Sequence, residues 1–257
     1  MKIIYLKCGK NGKNFGDLIT PYIYKKKTGL EYNENNIMLH NDLEIIGSGS
    51  IIELITEKSI VWGTGSICKR KFKKPKKVLS VRGPLTRDLF LQQGYECPKI
   101  YGDIGLLLPH FYYPNNINKI YTIGIIPHYI HYDECIKLFS NNKDILIINV
   151  LDNIEVVINN ILQCRHTLSS SLHGIICSHA YSINCAWINF NTNKKLVGGY
   201  FKFIDYYSSI NFNDIKEPID INKFIDVDVN KLKNIVILFK NPIFPINTKK
   251  ILELCPF

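Results

Sequence analysis

Short apolar runs alternate with helically spaced segments along most of this chain. The opening "KIIYLK" predicts a strand. "DLITPYIYKKKTGL" has helical spacing, stops at Gly29 and carries lysines in its last turn, where the helix dipole favours cations. "LEIIGSGSIIELI" predicts a strand, a glycine turn and a short helix. "IVWGTGS" and "KVLSVRG" predict strands that end in glycine. "PLTRDLFLQQG" begins with Pro84 in its first helical turn and stops at Gly94, with Leu85, Leu89 and Phe90 along one side. "KIYGDIGLLLP" closes this half.

Residues 109–119, "PHFYYPNNINK", are rich in proline, asparagine and aromatic residues and predict a linker. The alternation then resumes. "YTIGIIPHY" predicts a strand with a loop, "YDECIKLFSNN" a helix, "DILIINV" a strand and "NIEVVINNILQC" a helix. "RHTLSSS" predicts a strand, "LHGIICSHAYSI" a helix and "NCAWINF" a further strand. Strands that alternate with helices imply parallel sheets with crossover helices. The expected fold is α/β, with two Rossmann-like lobes, residues 1–112 and 118–210, whose parallel sheets face a central cleft. A tail at 211–257 is expected to add helices, such as "TKKILELC", that pack on the lobes. No repeat of solenoid period is visible.

Composition narrows the class. The 257 residues are 46% apolar and 21% charged, ordinary for a globular protein with a sizeable core. No run of 18 apolar residues occurs, so no membrane span is expected, and the N-terminal apolar run is too short for a signal peptide. Eight cysteines are scattered without a CxxC pair, which predicts buried, reduced thiols of a cytoplasmic protein. His173 with Cys177, and His128, His131 with Asp133, are close in sequence, but neither set makes a four-ligand pattern, so no metal is expected.

The net charge of +10 is partly local: "KRKFKKPKK" holds seven cations and no acid. A solvated loop between two strands accounts for it better than a nucleic-acid patch, which would interleave aromatic residues. No nucleic-acid partner is expected. The surplus of positive charge also suits an anionic substrate.

Chemistry is expected beyond the carboxyl ends of the strands, where helices start and free N–H groups favour anions. "RHTLSSSLHG" delivers Ser169, Ser170 and Ser171 to a strand end and sets His173 in the first turn of the next helix. Hydroxyls and N–H groups there suit a phosphate, and an imidazole adds a proton movable near neutral pH; capping serines and a solvent-facing histidine would read the same way. Arg82 ends the strand "VLSV" before the Pro84 helix, placed for bidentate pairing with a carboxylate or phosphate. Asp17 follows the glycine turn at Gly16, where it either takes a proton from a hydroxyl or caps its helix. "GSGS", with Gly49, and "GTGS", with Gly65, are turns that let a ligand approach backbone. Neither is a GxGxxG or Walker loop, so no dinucleotide or ATP cofactor is indicated.

Nine segments in register resemble the polysaccharide pyruvyltransferases, in particular the branch that forms ketals on exopolysaccharides. They are "NFGDLITPYI", "GSGSII", "VWGTGS", "VRGPLTRDLF", "GDIGLLLP", "IGIIPHY", "SSSLHGIICSHAYSIN", "KFIDYY" and "CPF". The resemblance implies a GT-B-like pair of lobes and phosphoenolpyruvate as donor substrate, with no further cofactor. The acceptor it implies is a sugar, oligosaccharide or lipid-linked glycan, which receives the pyruvyl group as a cyclic ketal while phosphate leaves. It implies that His173 protonates the donor's methylene carbon, that Arg82 clamps its negative charge and that Asp17 draws a proton from the sugar hydroxyl. His128 and Lys202 would line the cleft. Another branch carries arginine where this chain has Ser171. Arg165 lies four extended residues back, about 13 Å away, too far to replace it. The substitutes implied are the helix N-terminus with Ser169 to Ser171, or Lys202. A nucleotide-sugar glycosyltransferase or a sugar-binding remnant on the same scaffold are the alternatives, since fold alone does not decide function.

Overall fold

Four short parallel strands form the first sheet in sequential order: β1 (Lys2–Ile4), β2 (Glu44–Ile46), β3 (Ser59–Trp62) and β4 (Lys77–Ser80). The computed structural model describes residues 1–9, 12–32, 43–212, 214–215, 217–224, 229–238 and 248–257; parts of the predicted tail lie outside them. Helix α1 (Ile19–Thr28) ends as expected: Gly29 has φ +74° and its N–H bonds the Lys25 carbonyl at 2.8 Å. That left-handed cap suits glycine. "IEL" forms one 3-10 turn, Ile52–Leu54, in place of the predicted short helix. Helix α2 (Pro84–Gln92) starts at its proline, with Leu89 and Phe90 buried. The "GDIGLLLP" segment becomes a buried 3-10 helix, Ile104–His110, capped by Asp103.

The second sheet contains β5 (Tyr121–Ile126), β6 (Ile145–Ile147), β7 (Cys164–Ser169), β8 (Cys185–Asn189) and β9 (Ile219–Asp220). They run parallel in the order β6-β5-β7-β8-β9. Helices α3 (Tyr132–Phe139) and α4 (Ile154–Leu162) connect its first three strands, and α5 (Leu172–Ala180) leaves β7. The strand order reverses between β5 and β7, which places a crevice beyond their carboxyl ends. Helix α6 (Phe201–Ser209) packs on α2, α7 (Val229–Leu238) packs on the second sheet and α8 (Thr248–Glu253) packs on the 3-10 helix Ile104–His110.

One buried apolar cluster runs through both halves. It joins Phe15, Ile19 and Trp62 to Val157, Leu172, Ile175 and Trp187. The basic run is a surface loop between β3 and β4, its cations exposed while Phe72 and Pro75 turn inward. All eight cysteines are free, five of them buried. Among the described residues no helix is long and apolar enough to cross a membrane.

Candidate active site

A cavity of about 300 Å³ opens beyond the end of β7. Asn14, Asp17, Gly49 and Ser50 line it from the first half of the chain, and His128, Ser171, His173 and Lys202 from the second. These positions follow from the local folding of each segment. β5 and β7 stop side by side, and the loops leaving them carry His128 and the three serines. α5 then begins at Leu172, so His173 stands in its first turn.

The three serines divide. Ser169 is fully buried; its hydroxyl donates to the Ile126 carbonyl at 2.8 Å and accepts the Ser171 N–H at 3.0 Å. The Ser170 oxygen accepts the His128 N–H at 2.9 Å and lies 3.3 Å from His131 Nδ1. Both hydroxyls tie the end of β7 to the loop after β5 and do not line the cavity. Ser171 alone of the three lines it, and its hydroxyl makes no cap bond to α5.

Arg82, expected as a direct clamp, instead stands behind the wall. It is fully buried, with Nε on Asp205 at 3.1 Å and the terminal nitrogens on Ser50 Oγ and the Ser66 carbonyl, both at 2.7 Å. Asp205 also accepts the Thr86 N–H and hydroxyl at 2.9 and 2.7 Å. The guanidinium is held by its own chain and reaches the cavity through Ser50. Gly65 does not line the cavity; it makes room for that guanidinium, because a Cβ there would fall 2.3 Å from Arg82 Cζ. Gly16 serves His173 in the same way. Gly49 lines the cavity at φ +113°.

Asp17 is almost fully buried; Oδ2 accepts the Cys8 N–H at 3.2 Å and the Asn14 amide at 3.1 Å. Burial pushes its carboxyl above the usual range, against those hydrogen bonds. Burial, then Arg82, Lys202 and His128, drive His173 down to about 3, so its ring is neutral at pH 7 in the free protein. His128 falls to about 3 by burial and by Lys202. Burial lowers Lys202 to about 8, with Arg82 adding to it and Asp17 opposing. A half-buried cation beside two neutral imidazoles makes a site that gains by taking up negative charge.

A family model for polysaccharide pyruvyl transferase matches residues 5–192, well over half of the chain. The chain belongs to the polysaccharide pyruvyl transferase family. Among curated proteins, this pyruvyl transferase is similar to an uncharacterized protein of Acanthamoeba polyphaga mimivirus, 30% identical over 206 residues, covering 72% of this chain and 71% of that protein. No solved structure matches it. The matched region contains Asp17, Arg82, His128 and the serines with His173; Lys202 lies just beyond it. The cavity wall of this transferase is also built by residues that strand-end reasoning missed. Asn14 and Ser48 hold Asp17 and His173, Asp205 holds Arg82, and Asp103 stands behind His173. The only sequence signals for the two acids were an aspartate between glycines in "GDIG" and one among aromatics in "KFIDYY".

Proposed function

We propose that this transferase takes phosphoenolpyruvate as donor and forms a cyclic pyruvyl ketal on a sugar of a polysaccharide or lipid-linked glycan. The two sheets then act as GT-B-like lobes around the cavity. The observation that carries the reading is the meeting of His173, Asp17 and Lys202 in one cavity at the switch point of the second sheet.

In this reading Lys202, the start of α5 with Ser171, and Ser50 backed by Arg82 hold the donor's carboxylate and phosphate. The donor's negative charge offsets the cations that disfavour protonated His173, so the imidazolium forms once the donor is bound. His173 gives its proton to the methylene carbon, and the adjoining carbon takes on oxocarbenium character. One sugar hydroxyl attacks that carbon and passes its proton to Asp17. A second hydroxyl of the same sugar then displaces phosphate, which leaves with the remaining proton. One proton ends on the new methyl group and one on phosphate, so the reaction balances.

The test is incubation of the protein with phosphoenolpyruvate and a panel of sugars. Phosphate release together with a matching mass gain on one sugar is expected. His173→Ala, with its circular dichroism spectrum retained, should lower the rate at least about 10²-fold. Phosphate release with no sugar adduct on any member of the panel, or full activity in His173→Ala, would refute the assignment.

A further inference from the structure

Asp103 is fully buried, and its Oδ1 accepts the Gly105 N–H at 2.9 Å. Its Oδ2 has no hydrogen-bond partner among the described residues and lies 3.8 Å from His173 Nε2. A buried carboxylate oxygen without a donor is unfavourable, so its presence needs a reason.

Ser48 supplies the link. Its hydroxyl donates to the Gly16 carbonyl at 3.0 Å, and the same oxygen lies 3.0 Å from His173 Nε2. A serine hydroxyl has one proton. With that proton on Gly16, Ser48 can only accept from the ring, so Nε2 is the protonated nitrogen. Nδ1 lies over Gly16 and makes no hydrogen bond among the described residues, and His173 lines the cavity, so with Nε2 engaged Nδ1 is the nitrogen we assign to the donor.

The other charged groups facing the ring cannot balance a proton on it. Arg82, Lys202 and His128 oppose one. Asp205 is occupied by Arg82 and Thr86, and Asp17, whose Oδ2 holds Cys8 and Asn14, forms no ion pair with the ring among the described residues, whereas Asp103 lies 3.8 Å from it. The Tyr206 hydroxyl is bonded to His179. The free oxygen of Asp103 is the remaining negative partner. Burial raises Asp103 to about 6 against the pull of Arg82, which still leaves it mainly ionised at neutral pH.

We propose that Asp103 is the positioning residue for proton transfer at His173: with Ser48 it keeps the ring protonated on Nε2, and it supplies the countercharge while Nδ1 carries a second proton. This rests on His173 as the proton-transfer group. Nδ1 takes its proton from solvent in the open cavity and gives it to the donor's methylene carbon. The carbon–carbon π bond breaks as the C–H bond forms, and the ring returns to neutral. Nε2 keeps its proton throughout, and Asp103 gains none.

Asp103→Asn tests the idea, because the amide oxygen still serves Gly105 while an N–H now faces Nε2. Histidine-labelled full chain, with His173 assigned by the signal lost in His173→Ala, reports the tautomer by nitrogen NMR. Expected are a wild-type ring protonated on Nε2, and in Asp103→Asn, where the amide N–H opposes Nε2–H while Ser48 still favours it, a population of rings protonated on Nδ1. Expected too are kcat for phosphoenolpyruvate turnover down about 10²-fold with KM within about twofold, and a displaced acid limb of the pH profile. Ser48→Ala should lower kcat less, and it carries the test if Asp103→Asn does not fold. A purely structural role would move the melting temperature and leave tautomer and pH profile alone. A wild-type ring protonated on Nδ1, or unchanged tautomer and pH profile in both variants, overturns the proposal. If wild type turns over no donor, the functional reading fails, and the NMR signal by itself still decides the tautomer.

Discussion

Gly16 governs the site by what it lacks. A Cβ there would fall 2.0 Å from His173 Nδ1, far inside van der Waals contact. Gly16→Ala should therefore turn the ring away and lower kcat about 10²-fold, since catalysis is steep in small displacements; phosphate release alongside an unchanged circular dichroism spectrum checks this. If the proposed function holds, Lys202 is expected to set the alkaline limit. Its folded pKa is lowered to about 8 by burial, so its cation is present below that value and lost as pH rises through it. KM for phosphoenolpyruvate should climb above pH 8, and Lys202→Met should show a raised KM at every pH with that limb gone. At this scale the chain was half legible. Asp17 and His173 stood out because each follows a turn at a strand end, and both line the cavity. Ser169 and Ser170 carried the same signal and are used as scaffold. A hydroxyl that ties two loops and one that holds a ligand look alike until its partners are known.

At the level of elements, Asp205 of α6 is tied to the turn between β4 and α2 by a buried ion pair with Arg82, and to α2 itself by Thr86. Removing one member leaves a buried charge without a partner, so Asp205→Ala should cost about 3–5 kcal/mol in urea unfolding. Asp205→Asn, whose amide oxygen can still accept the Thr86 N–H, should cost less. α2 was legible from Pro84 and Gly94, which mark helix ends by backbone geometry alone. α6 was not, because its buried side carries the polar Asp205 and Ser209 beside Phe203, Tyr206 and Tyr207, so burial does not follow polarity along "FKFIDYYSS". The first-sheet strands are only three or four residues long, too short for alternation to show; β1 was found from its apolar run and β2, β3 and β4 from their glycine ends. The basic loop was read correctly as solvent-facing: Phe72, packed 4.6 Å from Phe90, pins it down.

Across the whole molecule, the two sheets share a core, with Trp62 in β3 and Trp187 in β8 both fully inside it. A shared core should melt as a unit. Trp62→Phe and Trp187→Phe each leave one fluorescent reporter. In urea each variant's fluorescence should follow its own far-ultraviolet circular dichroism with the same midpoint; two separated transitions would show that the halves unfold independently. Local order was readable from the chain alone. The alternation of strands and helices, their capped ends and the loops bearing ionisable groups all depend on neighbours within a few residues. Which of those groups face the cavity was settled by long-range packing. Arg82 is drawn inward by Asp205, 123 residues away, and His173 meets Ser48 across 125. Contacts at that separation leave no periodic mark in a sequence, because they arise only when separate elements are pressed against a common core.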